Sequence, residues 1–171
     1  MRMLGASATC RSAGSSSAPP VPNRTEAYLR GMLRSETVRK GEIAVHRTIL
    51  RSLELGHTPL RPCVEGARYD LVIDRGLGGL ARVQVKYCNH RPRCRDAYEL
   101  SLTRHSGGRN RRTYRYLPHE IDAVVALLAS HDLLVWVPAE CLEGQSGITL
   151  RTAPARNGQR ALVRMAADYA W

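Results

Sequence analysis

The chain has 171 residues, 43% of them hydrophobic, which is enough for one domain with a real core but short for two. Its 26 Lys and Arg against 15 Asp and Glu leave a formal charge of +11, and that excess points to a polyanionic partner, nucleic acid first. No apolar run approaches the roughly 18 residues of a membrane span, so no role in a membrane is expected.

Five cysteines, Cys10, Cys63, Cys88, Cys94 and Cys141, form an odd, irregularly spaced set without a secretory signal, the pattern of reduced thiols in the cytoplasm or nucleoid. Arginine supplies all the positive side chains but two, Lys40 and Lys86, so a retained lysine is a candidate for a role that a guanidinium would not fill. Residues 1–24 are rich in Ser, Ala, Pro and Arg and hold no acidic residue, which predicts a disordered or targeting tail over 1–30 and a domain over 31–171. A translation start upstream of Met32 accounts for such a tail equally well.

Helical spacing over 35–55 puts Val38, Val45, Ile49 and Leu53 on one stripe with Ile43 and Leu50 beside it; Ser35 or Thr37 is placed to cap the start and Gly56 the end. Extended segments are expected at 58–64, 68–74 and 81–87, the last two joined by the glycine-rich turn 75–79. Over 88–116, Arg91, Arg93, Arg95, Arg104, Arg109, Arg111, Arg112 and Arg115 face only Asp96 and Glu99, and the stretch is expected to be an exposed, mobile loop that binds DNA. Tyr98, Tyr114 and Tyr116, interleaved with these arginines, are candidates for base stacking. Residues 121–128 and 133–137 are expected to be adjacent strands returning to the sheet, 148–151 a further short strand, and 161–171 stays unassigned between strand and helix.

Strand alternation sets Tyr69, Leu71 and Ile73 on one face and Asp70, Val72 and Asp74 on the other. The same rule sets Gln84 and Lys86 opposite Val83 and Val85. Paired as a hairpin, the two strands present Asp70, Gln84 and Lys86 together. One carboxylate, one amide oxygen and a substrate phosphate suit Mg²⁺, a hard ion that keeps several waters, with Mn²⁺ able to substitute. Lys86 then lies where an ammonium orients the attacking water and offsets charge developing on phosphorus.

Glu42 falls in the apolar stripe between Val38 and Val45, where an ionised carboxylate is costly unless paired with a cation or metal; it is assigned to the edge of the same site, with a helix pair to His46, Lys40 or an arginine as the plainer reading. Asp74 reads as a strand-end residue rather than a second ligand. Cys88, His90 and Cys94 lack a fourth ligand and finger spacing, which argues against zinc.

With KGEIA at 40–44, YDLV at 69–72, VQVK at 83–86, and ID at 121–122 followed by VWVP at 135–138, the chain resembles the PD-(D/E)XK nuclease superfamily, and within it the group I intron-associated branch that includes homing endonucleases. The resemblance spans roughly residues 38–143. It implies a restriction-endonuclease-like α/β core, a mixed sheet of about four or five strands flanked by helices, in which Glu42, Asp70, Gln84 and Lys86 line the metal site. The sequence departs from the usual pattern in having no Pro before Asp70 and Gln84 where an acidic ligand is common. The expected activity is Mg²⁺-dependent hydrolysis of double-stranded DNA by a homo-oligomer, since cutting both strands takes two sites. A junction-type structure-specific nuclease and an inactive DNA-binding module remain the alternatives.

Overall fold

The computed structural model describes residues 24–64, 66–92, 94–105, 113–117, 119–155 and 163–171, with the backbone alone at 24–30, 32–34, 104 and 105. The expected tail therefore lies, up to residue 23, outside the described residues, as do residues 93 and 106–112 of the arginine-rich stretch. Residues 35–171 form one compact unit.

Helix α1 runs Arg24–Glu54 and ends on Gly56, whose φ of +74° is open to glycine at little steric cost. There the Gly56 N–H donates to the Leu53 carbonyl (2.9 Å) and the His57 N–H to the Ser52 carbonyl (2.9 Å), the paired bonds of a Schellman cap. The expected apolar stripe is the buried face only at Val45 and, in part, Ile49. Val38 and Leu53 are 62% and 57% exposed and Ile43 and Leu50 are also exposed, whereas Ala44, Val45, Thr48 and Ser52 are buried. The Thr48 hydroxyl donates to the Ala44 carbonyl (2.9 Å) and the Ser52 hydroxyl to the Thr48 carbonyl (2.8 Å), so both polar groups are satisfied within the helix. Small side chains let the helix approach the sheet, and the bulk at that contact comes from Leu71, Ile73, Val83 and Val125 on the sheet side.

Strands β1 (Thr58–Leu60), β2 (Leu71–Asp74) and β3 (Leu80–Cys88) form the expected antiparallel meander. The turn between β2 and β3 is a short 3₁₀ segment, Gly76–Gly78; Gly76 and Gly79 sit at φ of +61° and +74°, and the Asp74 carboxylate accepts from the Gly76 N–H (2.8 Å). Asp74 is thereby committed to the turn. Strands β4 (His90–Arg91), β5 (Cys94–Ser101), β6 (Thr103–His105) and β7 (Thr113–Arg115) follow, then β8 (Ala123–Leu128), β9 (Leu133–Pro138), β10 (Gly147–Arg151) and β11 (Arg164–Met165).

The main sheet has the order β1-β2-β3-β8-β9, with β3 and β8 parallel and its other pairs antiparallel. All six residues of β8 are buried, as a central strand covered on both faces requires. One face packs on α1. The other carries Val124, Ala126, Val135 and Val137 against Tyr98, Leu100, Ile148 and Leu150 of a second sheet, β11-β10-β5-β4. The expected α/β core with a mixed sheet is what forms, its second flank built from strands where helices were expected.

That second sheet corrects the reading of 88–116 as one exposed loop. Residues 94–101 form a strand in which Tyr98 and Leu100 are fully buried while Arg95 and Glu99 are exposed, so the charges mark its solvent side. Tyr98 is unavailable for base stacking, its hydroxyl 2.6 Å from His131 Nδ1.

The crossover into β8 is clasped by Asp122, whose carboxylate accepts from the Arg82 N–H (2.7 Å), Nε (3.1 Å) and Nη2 (3.0 Å) while the Asp122 N–H donates to the Arg82 carbonyl (2.8 Å). The side-chain bond from Arg82 holds the Asp122 carboxyl below its ordinary pKa. Both side chains are partly solvated, so Asp122→Asn should cost about 1 kcal/mol at pH 7. A lowered carboxylate pKa gives stability that is present above the unfolded-state value and lost as pH falls through the folded-state one. Urea midpoints of wild type and variant should thus differ at pH 7 and converge as the pH is lowered through the carboxylate range.

Candidate functional site

β2 begins at Leu71, opposite Val83, whereas β3 continues for five residues beyond Val83 to Cys88. Asp70 stands at the point where the two strands part. Its N–H donates to the Val83 carbonyl (2.9 Å), and its carboxylate accepts from the Val85 N–H (2.8 Å) and from the Gln84 amide. The β3 edge facing β2 would otherwise leave the Val85 N–H without a ladder partner, and an unmet donor in a central strand is costly. The carboxylate of Asp70 meets that need.

Lys86 lies two residues beyond Gln84, half-buried, its Nζ 3.3 Å from the Tyr116 hydroxyl and 5.2 Å from the centre of that ring. Burial pushes the Asp70 carboxyl above its ordinary pKa, against the opposing pull of the Val85 N–H, Lys86, Arg61 and Gln84. It also pulls the Lys86 ammonium below its own, against the attraction of Asp70 and Cys88. The Cys88 thiol, buried beside them, is raised to about 11 and is neutral at pH 7. Asp70 and Lys86 are both held where charge is poorly solvated, the condition in which a cation and an anion brought in from solution gain most.

A cavity of about 390 Å³ is lined by Glu42, Arg61, Cys63, Tyr69 and Asp70 among others. Glu42 was expected to be forced to the site by burial; its side chain is instead 49% exposed, because the buried face of α1 lies along Ala44 and Thr48. It nonetheless reaches the same cavity as Asp70, with Arg61 Nη2 3.3 and 3.4 Å from its two oxygens and His46 Nδ1 3.7 Å from one of them. Tyr69 packs into the core on the far side of the sheet from Leu71, against the alternation expected, because regular strand geometry starts only at Leu71.

Among the described residues no group of three His, Cys, Asp or Glu is placed to hold a metal. The donors on hand are the Asp70 carboxylate, the Gln84 amide oxygen and the Val85 carbonyl, 3.5 Å from the Gln84 amide nitrogen. An all-oxygen set with one carboxylate fits a hard divalent ion that retains water, and it fits zinc poorly. Gln84 now turns its nitrogen toward Asp70, so a cation shared by the two requires the terminal amide to turn over.

Of the arginines expected to meet DNA, Arg95 and Arg115 are exposed, Arg115 donating to the Gly144 carbonyl (3.4 Å), and Arg91 pairs with Glu99 at 3.3 Å. Arg93, Arg109, Arg111 and Arg112, and the side chain of Arg104, lie outside what is described. Two neighbours of the site carry no signal in the sequence. Arg61 has no pattern that links it to Glu42, and Tyr116 lies thirty residues from the lysine it touches.

Residues 35–171 match the family model described as PD-(D/E)XK endonuclease. Among solved structures, the chain is similar to a bacterial homing endonuclease, I-Ssp6803I, at 27% identity and a TM-score of 0.64, over 78% of this chain and 88% of that one. No curated protein sequence matches the chain.

An ionised carboxylate held in a half-buried cleft works against the fold. In chelator at pH 7, Asp70→Asn should keep an acceptor for the Val85 N–H and melt above wild type, by roughly the 2–4 °C that about 1 kcal/mol makes in a domain of this size. A lower melting temperature would show that the charge supports the fold.

Proposed function

This chain belongs to the PD-(D/E)XK endonuclease family, and on that premise we propose that it is a Mg²⁺-dependent endonuclease of the homing type that hydrolyses phosphodiester bonds in double-stranded DNA. The observation that carries the reading is the junction of β2 and β3, where the Asp70 carboxylate accepts from the Gln84 amide and the Val85 N–H, feels the Lys86 charge, and lines one cavity with Glu42. The homing character rests on the likeness to I-Ssp6803I.

Asp70 and Gln84 would hold the divalent ion through oxygen, with Glu42 at the margin. When bound, such an ion supplies Lewis acidity to a phosphate oxygen and acidifies the attacking water. Lys86, steadied by Tyr116, directs an ammonium at that water and at the charge growing on phosphorus. The water oxygen bonds to phosphorus as the bond to the leaving sugar oxygen breaks, with no covalent enzyme intermediate. Arg91, Arg93, Arg95, Arg104, Arg109, Arg111, Arg112 and Arg115 would grip the backbone beside it. Two copies, each cutting one strand, complete a double-strand break, and the catalytic domain is taken as residues 31–171.

Plasmid nicking in Mg²⁺ should vanish in chelator and return with Mn²⁺. Lys86→Ala and Asp70→Ala should each lower cleavage by about 10²-fold or more while DNA binding is kept; unchanged cleavage in either would overturn the assignment. Gln84→Glu adds a second carboxylate, and calorimetry should show tighter Mg²⁺ binding than wild type. Equal affinity would place Gln84 outside the ligand set.

A further inference from the structure

Arg61 follows β1 directly and projects into the cavity that holds Asp70 and Glu42. Among the described lining residues it is the basic one, set against two carboxylates. Its hold on Glu42 is loose. A single nitrogen, Nη2, reaches both Glu42 oxygens at 3.3 and 3.4 Å, the long end of the hydrogen-bond range, and both side chains are about half exposed, so water competes with the pair and it is readily exchanged. A guanidinium is shaped to take two phosphate oxygens at once, a better match than this end-on contact.

Charge balance makes the same point. Among the described lining residues two carboxylates, Glu42 and Asp70, stand with one guanidinium, and Lys86 also acts on Asp70 from nearby. A divalent cation and a phosphodiester anion entering together each find a matching group there, the carboxylates for one and the Arg61 guanidinium for the other. Arg61 also stands close enough to Asp70 to favour its ionised form, so its charge bears on the carboxylate at the heart of the cleft as well as on Glu42.

We infer that Arg61 is a phosphate-binding residue of the cleft, resting on Glu42 until a DNA phosphate takes its place and frees Glu42 to face the metal. The inference rests on the endonuclease reading and adds to it a specific backbone contact outside the arginine-rich stretch. In this account Glu42 and Arg61 are partners only in the DNA-free protein.

The test uses the full chain carrying Lys86→Ala, with Mg²⁺ present, so that binding is read without turnover. Affinity for a linear duplex is followed from low to moderate salt with Arg61 intact and with Arg61→Ala, Arg61→Gln and Arg61→Lys. Loss of the charge in the Ala and Gln variants should weaken binding at every salt concentration and reduce the slope of log affinity on log salt by about one, whereas Arg61→Lys keeps the slope. In the DNA-free protein, Mg²⁺ affinity of the Ala and Gln variants should equal or exceed that of the parent, because Glu42 is released. An unchanged slope would overturn the inference. So would lost Mg²⁺ affinity with the slope intact, which would make Arg61 a brace for Glu42. Cleavage by the Lys86→Ala parent itself would sink the catalytic assignment and leave the binding result to judge Arg61 separately.

Discussion

The hydrogen bond from the Val85 N–H to the Asp70 carboxylate (2.8 Å) is the contact on which the rest of the site depends. β3 is an interior strand, paired with β8 along Val83 to Cys88 on one side and with β2 only up to Val83 on the other. Where β2 turns away, a side chain takes over from the backbone. That substitution opens the cleft, fixes Asp70 opposite Gln84, and leaves Lys86 on the same strand with its ammonium against Tyr116. The sheet stays satisfied while its edge is left open, and the group that caps the backbone is the carboxylate we propose as a cation ligand.

The electrostatics follow from the same geometry. A chain of strong positive charge draws in a polyanion, yet the described lining of the cavity beside Asp70 sets two carboxylates, Glu42 and Asp70, around one guanidinium, Arg61. A DNA phosphate entering there lies close to carboxylates as well as to Arg61, which favours a cation between carboxylate and phosphate. Burial raises the Asp70 pKa and lowers that of Lys86; both groups are poised to gain from charged partners that the folded protein does not itself supply. Such a site costs stability in the resting state and recovers it on binding.

Much of this was legible because strand alternation is rigid. The phases of Leu71, Ile73, Val83 and Val85 followed from a period of two, and the glycines of 75–79 marked the hairpin turn, whereas Asp70 stands just ahead of the regular strand and meets Gln84 beside its bond from the Val85 N–H. What failed did so for identifiable reasons. Periodicity weighs large apolar residues, so it chose Val38 and Leu53 on α1 and overlooked Ala44, Thr48 and Ser52, whose small size makes the contact. Arginines on either side of β5 and Arg95 within it hid the inward Tyr98 and Leu100. Glu42 reached the cavity although the burial argument for it was wrong, and Arg61 and Tyr116 join the site only through tertiary contacts that no local spacing encodes.

The central claim is that Asp70 and Gln84 hold a divalent ion where β2 parts from β3. Anomalous diffraction from crystals of the chain bound to duplex DNA and Mn²⁺ tests it most directly. A Mn²⁺ peak bonded to oxygens of Asp70 and Gln84, with Lys86 facing the adjacent phosphate, is the expected result; a peak elsewhere on the chain, with both side chains unliganded, would contradict that placement.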